Sequence, residues 1–329
     1  ESYKEGVDQG TLVGFNFRTR SEYRLAENFD LYIHAKVQLV TRQIQARFAD
    51  SRTTGIIPYE VVARYRFLNR AEIKVGAINM DFLNSPLLVS KEKSFPGFVE
   101  SLNWGDESNY LRIFAAQSIP TTTSFESMRS EKEETPTFFS ESVQAQLILG
   151  GTYRLNGFLT HFRFDDLPSS LAFESSRMGN SILGEFQANS RFRYPFAGWV
   201  NGGEICYCKN SVTKFLVGGY QIENREAPLG LNRGQEFLLR ADVGLWGLVF
   251  SPYYIQFFNE RDTVPAAFNS GSRGHNNRNG RGLGLELLFS SYNFRFVGEY
   301  IESDVIRTDP NQKNLNSVML RLETLNVEF

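Results

Sequence analysis

Apolar and polar residues alternate with a period of two along most of the chain. The clearest run has apolar residues at Leu31, Ile33, Ala35, Val37 and Leu39. Polar residues such as His34 and Lys36 lie between them. Because successive side chains of a β-strand point to opposite faces, this alternation predicts strands with one apolar face and one polar face.

Turn residues divide the alternating segments in a regular way. Short turns fall near residues 69, 106, 150, 210, 245 and 291, and Gly150-Gly151 between two such segments is typical of a hairpin. The other connections are longer and polar, and they cover approximately 49–59, 80–96, 118–137, 164–181, 222–234, 259–279 and 304–314. Short turns at one end and long loops at the other are typical of a transmembrane β-barrel, whose short turns face the periplasm. We therefore predict an all-β, antiparallel up-and-down barrel.

Two segments decide the number of strands. The segment 182–208 is counted as one long strand, because only then does every short turn stay periplasmic, and its outer face carries Phe186, Ala188, Phe192, Tyr194 and Phe196. The alternation shifts by one residue before Ile44, Ala46 and Phe48, which indicates a tight turn or a bulge near residues 40–42.

The preferred count is sixteen strands, with two of them in residues 30–48. The alternative is fourteen, with one strand there and residues 1–28 partly outside the barrel wall. In both cases residues 1–329 form a single domain.

Composition agrees with a barrel in a membrane. Mean hydropathy is −0.31 although 14% of the residues are aromatic, so the apolar residues are spread out instead of being concentrated in blocks. The uncharged run 243–259 contains Pro252 and Gln256, which makes it a poor spanning helix. A sheet survives in hydrocarbon only when it closes and pairs all of its backbone groups. The net charge of −2 argues against a nucleic-acid partner, and the start at Glu1 fits a mature, processed chain.

The C-terminal residues carry a resemblance to a known class of protein. Leu325, Val327 and Phe329 resemble the terminal signature of bacterial outer-membrane proteins, which the assembly machinery reads. If the alternation runs on without interruption, Arg321 and Glu323 fall on the same face as these three residues. A bulge at Thr324 is therefore needed to place Val318, Leu320 and Leu322 on the apolar face instead. The whole chain resembles porin-type barrels in its pattern. The resemblance implies an outer-membrane location, contact with lipid and a homo-trimer.

The face opposite the apolar residues is rich in cations. The predicted lining cations are Arg18, Lys36, Arg47, Arg64, Arg66, Lys74, Arg112, Arg154, Arg191, Arg193, Arg240 and Arg295. The predicted anions are Glu72, Glu185, Asp242, Glu286 and Glu299. Because unpaired charges are costly in a dry interior, such a lumen must hold water or a plug that pairs them. Guanidinium groups around water favour anions, whereas salt-bridge ladders with the carboxylates would mainly stiffen the wall.

Enzymatic chemistry has little support in the sequence. The chain has three histidines, His34, His161 and His275. The stretch 274–281 is similar to the His-x-Ser-Asn-Gly-Arg region of outer-membrane phospholipases, but Asn277 stands where the serine nucleophile is required. No phosphate loop or metal motif occurs, so neither an enzyme nor a cofactor is predicted. Cys206 and Cys208 are interpreted as incidental small residues.

These observations predict a porin-like channel for passive diffusion of small hydrophilic solutes, with a weak anion preference. The alternative is a plugged or scaffolding barrel that binds a partner or displays its loops, and an outer-membrane hydrolase is the third class. The loop 80–96 contains Leu87, Leu88, Val89 and Phe95 and is too apolar for a solvated loop. It would either fold into the lumen as a constriction or pack against a neighbouring subunit.

Overall fold

The chain folds into a closed antiparallel β-barrel of sixteen strands. The computed structural model describes residues 2–5, 8–44, 55–67, 70–106, 108–120, 133–210, 213–289 and 293–324. The barrel strands are β1 (Ser2–Glu5), β2 (Asp8–Ala26), β3 (Phe29–Ile44), β4 (Gly55–Phe67), β5 (Ala71–Asn79), β6 (Ser94–Gly105), β7 (Tyr110–Ser118), β8 (Thr137–Leu149), β9 (Tyr153–Asp165), β12 (Phe196–Cys208), β13 (Thr213–Asn224), β14 (Arg233–Leu245), β15 (Leu248–Asn259), β16 (Arg278–Phe289), β17 (Phe294–Val305) and β18 (Leu315–Thr324). A helix α1 (Ser169–Ser176) and a small hairpin of β10 (Ile182–Leu183) and β11 (Arg191–Phe192) lie between β9 and β12. None of the helices in the described ranges is long and apolar enough to cross a membrane.

The predicted count of sixteen is confirmed, but the N-terminal strands differ from the prediction. β3 continues without a turn to Ile44, which pairs with Gly10 of β2, so the turn predicted near residues 40–42 is wrong. The additional strand is β1, which pairs with both β2 and β18 and closes the barrel. Residues 2–5 and 8–26 therefore belong to the wall, and the fourteen-strand alternative is wrong. Ala46 and Phe48 lie outside the described residues.

The segment 182–208 contributes one wall strand, as the count required, but that strand is shorter than predicted. β12 begins at Phe196, directly after Pro195, whose missing N–H cannot join the sheet ladder. The side chain of Phe196 is 2% exposed and faces the lumen, so the prediction that it faces outward is wrong. Residues 186–194 precede the wall strand, and Phe192 packs against Phe196 with ring centroids 4.9 Å apart, so these two aromatic residues join the apolar cluster inside the barrel instead of facing lipid.

The outer face of the barrel is apolar along its strands. Members of the predicted outward sets are exposed there, among them Phe15, Leu39, Val75, Ile113, Val143, Leu159, Leu239, Leu283 and Tyr300. The outer face of β18 carries three exposed apolar residues, Val318, Leu320 and Leu322. These are the residues that the bulge predicted at Thr324 would place on the apolar face. Aromatic rings meet near the short turns, in the pairs Tyr153–Tyr207 and Phe289–Phe294, as at a membrane interface. A closed sheet with an apolar exterior, whose interior holds charged residues as well as a plug, is an outer-membrane β-barrel.

Loops from the long-loop end fold back into the lumen. We call residues 80–93 and 260–277 the plug. The two plug loops pair through their backbones, with Ser90 N donating to Phe268 O at 2.8 Å and Ser270 N donating to Pro86 O at 3.1 Å. Leu87, Leu88 and Phe268 are 0% exposed.

The plug packs against the inner wall of the barrel. Phe268 stacks on Phe164 of β9 with ring centroids 5.7 Å apart, and Leu87 N donates to the hydroxyl of Tyr220 on β13 at 3.1 Å. Helix α1 and Met178 join the same apolar cluster. The apolar core of the molecule therefore lies inside the barrel, against the strands from β4 to β13.

Candidate functional site

A polar cavity of about 660 Å³ lies between the plug and the inner faces of β2 to β7. It extends along β5 from Glu72, near the short-turn end, to Asn79, near the loop end. Its cationic lining residues are Arg18, Arg20, Arg64, Lys74, Lys91, Arg112 and Arg321. Its anionic lining residues are Glu60, Glu72, Asp81 and Glu92. Seven cations against four anions leave an excess of three positive charges.

The plug loop 80–93 places acidic side chains opposite cations of the wall. Glu92 lies 3.7 Å from Lys36 Nζ and 4.0 Å from Arg18 Nη2, while Asp81 pairs with Lys91 on the same loop. Tyr59 occupies a bulge of β4 and stacks on His34 with ring centroids 5.2 Å apart. The loop therefore narrows the lumen, which is the first of the two roles predicted for it.

A buried carboxylate organises the charges near the short-turn end of the cavity. Asp30 is 1% exposed, and its Oδ2 accepts from Arg64 Nη2 at 2.6 Å and from Arg66. Arg64 also contacts Glu22 at 3.0 Å and Glu72 at 3.9 Å. The arrangement is a salt-bridge ladder across β2 to β5, so much of the charge of these arginines is locally compensated.

A second ladder crosses the inner face from β14 to β18. Arg240 contacts Asp242 at 2.7 Å and Glu286 at 3.3 Å, and Arg295 contacts Glu286 at 3.3 Å and also Glu323. Wall stiffening by ladders, the alternative to anion selection, thus accounts for the arginines of this sector.

An arginine clasp joins the plug to the wall. Arg273 of the plug contacts Glu236 of β14 at 3.1 Å and Glu299 of β17 at 3.9 Å. The hydroxyl of Tyr253 donates to the second oxygen of Glu299 at 3.0 Å. All three charged side chains are at most 12% exposed, so the clasp is a buried ion pair that depends on each member.

Buried asparagines fix the plug at the loop end. The side chain of Asn276 donates to Val264 O at 2.7 Å and to Arg261 O at 3.0 Å, and it accepts from Asn259 and Asn269 at 2.6 Å each. Asp262 of the same loop accepts from the backbone of Ser181 at 2.8 Å, and burial raises the pKa of its carboxyl. This hydrogen-bonded network links the plug to the loop that carries α1.

His275 belongs to this network as well. Its Nδ1 lies 2.9 Å from Ala266 O and 3.0 Å from Asn269 Oδ1. Asn277, which stands at the position of the phospholipase serine, donates to Arg307 O and contacts Gln312. These contacts give the stretch 274–281 a structural role. The described ranges hold no group of three or more His, Cys, Asp or Glu side chains suited to a metal ion.

Most of the predicted lining residues face the lumen, but they do not form one ring. Glu72, Lys74, Arg64 and Arg112 line the cavity, and Lys36 contacts Glu92 at its edge. The other inward residues are Arg66, Arg154, Arg240, Arg295, Asp242, Glu286 and Glu299, which lie in ladders or in the clasp.

Several predicted residues do not lie in the wall. Arg191 is exposed in the hairpin between β9 and β12, and Arg193 and Glu185 are exposed next to it, so their assignment to the lumen wall is wrong. Arg47 and the terminal residues Leu325, Val327 and Phe329 lie outside the described residues.

Sequence reasoning missed a set of inward carboxylates. Those that make ion pairs or line the cavity are Glu22, Asp30, Glu60, Glu204, Glu236 and Glu323. Asp30 could have been found from the alternation, because it lies an even number of residues before His34 and so faces the same side of the strand. Glu204 could not be found, because the inner and outer faces of β12 were assigned the wrong way round. The cationic excess of the wall is therefore smaller than predicted.

The two cysteines also differ from their interpretation. Cys206 and Cys208 form a disulfide, with their Cα atoms 5.6 Å apart. Both are on the inner face of β12, at the C-terminal end of the strand.

Comparisons with known proteins add little to this geometry. No protein-family model matches the chain, and no curated protein matches its sequence. Among solved structures, the chain is similar to OmpF of Salmonella typhi, solved in complex with daunomycin (8% identity, TM-score 0.49, 96% of this chain and 93% of that one). It is also similar to the outer membrane channel DcaP of Acinetobacter baumannii (11% identity, TM-score 0.47, 94% of this chain and 84% of that one). A third similar structure is Wzi of Escherichia coli, a carbohydrate-binding β-barrel involved in group 1 capsule assembly (8% identity, TM-score 0.49, 99% of this chain and 80% of that one). Similarities at this level carry no argument, so the function is argued from the barrel itself.

Proposed function

We propose that the chain is an outer-membrane channel for passive diffusion of small hydrophilic solutes, with a weak preference for anions. The observation that carries the proposal is the polar cavity beside the plug. From Glu72 to Asn79 it follows seven residue steps of β5, which is about 23 Å along the strand. Because the strands of such barrels tilt by about 40°, this length corresponds to about 18 Å along the membrane normal. The apolar belt is about 25 Å tall, so the cavity follows about 70% of the membrane-spanning height.

The charges of the cavity support the anion preference and also limit it. Arg112 hydrogen-bonds Asn103 and lines the cavity. Arg64, by contrast, is surrounded by Asp30, Glu22 and Glu72. Cations without a close carboxylate attract anions into the passage, while compensated arginines contribute little to the field. The expected selectivity is therefore weak.

Charge reversal at Arg112 tests this assignment. In a planar bilayer with a salt gradient, the reversal potential of the native protein should show anion preference. We expect Arg112→Glu to reduce or invert that preference, because it removes a positive charge from the passage and adds a negative one.

The matched control is Arg281→Glu, which makes the same change of charge on the outer wall, where Arg281 is 67% exposed. Its reversal potential should equal that of the native protein. Cation selectivity in the native protein would contradict the proposed role of the lining cations.

A plugged barrel that binds a partner is the second candidate. The observation that favours it is the fixation of the plug by the arginine clasp and by Asn276. Steady current in the bilayer supports the channel, whereas the absence of current would favour the plugged barrel. A non-enzymatic role, homo-trimers and recognition by the assembly machinery stay predictions.

A further inference from the structure

The disulfide of β12 plays no part in the proposed passage. Cys206 and Cys208 share the inner face of the strand with Glu204, and Cys208 is the last residue of β12. Cys206 is fully buried, whereas Cys208 is half-buried. Because short turns face the periplasm in such barrels, Cys208 lies at the periplasmic mouth of the lumen.

This disulfide adds little to the stability of the fold. It closes a loop of only three residues, and a short loop constrains the unfolded chain least. β12 is also held on both sides, since Cys206 pairs with Arg154 of β9 and with Leu216 of β13. A structural role therefore does not explain the bond.

The neighbouring strands pair a cationic residue with each cysteine. Arg154 is the partner of Cys206 in β9, and Lys214 is the partner of Cys208 in β13, all on the inner face. Arg154 contacts Glu204 at 3.3 Å, but its buried Nε has no hydrogen-bond partner within the described ranges. Cations next to a cysteine stabilise the thiolate, which is the reactive form in disulfide exchange.

We propose that Cys206 and Cys208 form a redox-active pair that exchanges its disulfide with a dithiol from the periplasm. A thiolate of the dithiol attacks Cys208 Sγ, the bond between the two cysteine sulfur atoms breaks, and its electron pair leaves on Cys206 beside Arg154. The second thiolate of the dithiol then attacks the mixed disulfide and releases Cys208. Two electrons and two protons pass from the dithiol to the pair, and the dithiol becomes a disulfide.

Alkylation of the native protein tests the proposal without any substitution. The purified full chain, folded in detergent micelles, is treated with dithiothreitol and then with iodoacetamide, and the labelled cysteines are identified by mass spectrometry. We expect both cysteines to become labelled while circular dichroism and heat-modifiable electrophoretic migration still report a folded barrel. Labelling that begins only when the barrel unfolds would overturn the proposal.

The direction of attack gives a second test. Arg154→Gln should slow reduction by roughly threefold or more, because the leaving thiolate loses its neighbouring cation. Arg281→Gln, which removes an exposed cation from the outer wall, should leave the rate unchanged. A brief reaction at limiting dithiothreitol should trap the mixed disulfide on Cys208, and an adduct mainly on Cys206 would contradict the assignment.

Discussion

Replacing residues 263–272 by a short Gly-Ser linker is expected to raise the single-channel conductance roughly threefold or more. This part of the plug contains Val264, Ala266 and Phe268, which fill the lumen against the wall and are 0% exposed. Without them, water enters the part of the lumen that residues 263–272 occupy. The measurement is single-channel current in a planar bilayer, after circular dichroism has shown that the variant is folded.

The control for this variant is Leu229→Ser, on a loop at the same end of the barrel. Leu229 is 77% exposed and lies outside the apolar core. The single-channel conductance of Leu229→Ser should therefore equal that of the native protein. Unchanged conductance after replacement of 263–272 would show that the plug does not limit the passage.

Arg273→Met is expected to loosen the plug while the barrel itself stays folded. The substitution leaves Glu236 and Glu299 buried without their cation, and removal of one partner of a buried ion pair costs about 3 kcal/mol or more. We expect the free energy of local opening of the plug to fall by that amount. Hydrogen exchange of the backbone amides in 260–277 should then be faster by about a factor of 100, since each 1.4 kcal/mol is about tenfold.

Arg281→Met is the matched control for the clasp. Arg281 is 67% exposed and contacts Glu302 on the outer wall at 3.2 Å, and exposed pairs of this kind contribute about 0–1 kcal/mol. In Arg281→Met, the backbone amides of residues 260–277 should exchange hydrogen at the same rates as in the native protein. Native-like exchange in Arg273→Met would mean that the asparagine network alone holds the plug.

The alternation of side chains was sufficient to predict the barrel and most of its inner face. A period of two fixes which residues share a face, so Arg64 and Glu72 could be placed on the inside without any knowledge of their partners. It does not fix which residues of a long segment belong to the wall. Phe196 was misplaced and Glu204 was missed for this reason, because the part of the segment 182–208 before Pro195 forms a small hairpin outside the wall.

The plug could be predicted only in part. The apolar loop 80–96 is exceptional in composition, and this signal showed that the loop must be covered, either in the lumen or by a neighbouring subunit, without deciding between the two. The loop 260–277 looked like a flexible polar connection, because its asparagines are polar in sequence. In the structure Asn276 is 0% exposed and satisfies backbone carbonyls, which is a tertiary role that no local pattern encodes.

Liposome swelling with uncharged sugars of graded size tests most directly whether solutes pass beside the plug. The native protein, reconstituted alone, should admit small sugars at rates that fall steeply as the solute approaches the width left between loop 80–93 and the wall. Liposomes that swell with none of the sugars, although the barrel is folded and inserted, would contradict the account.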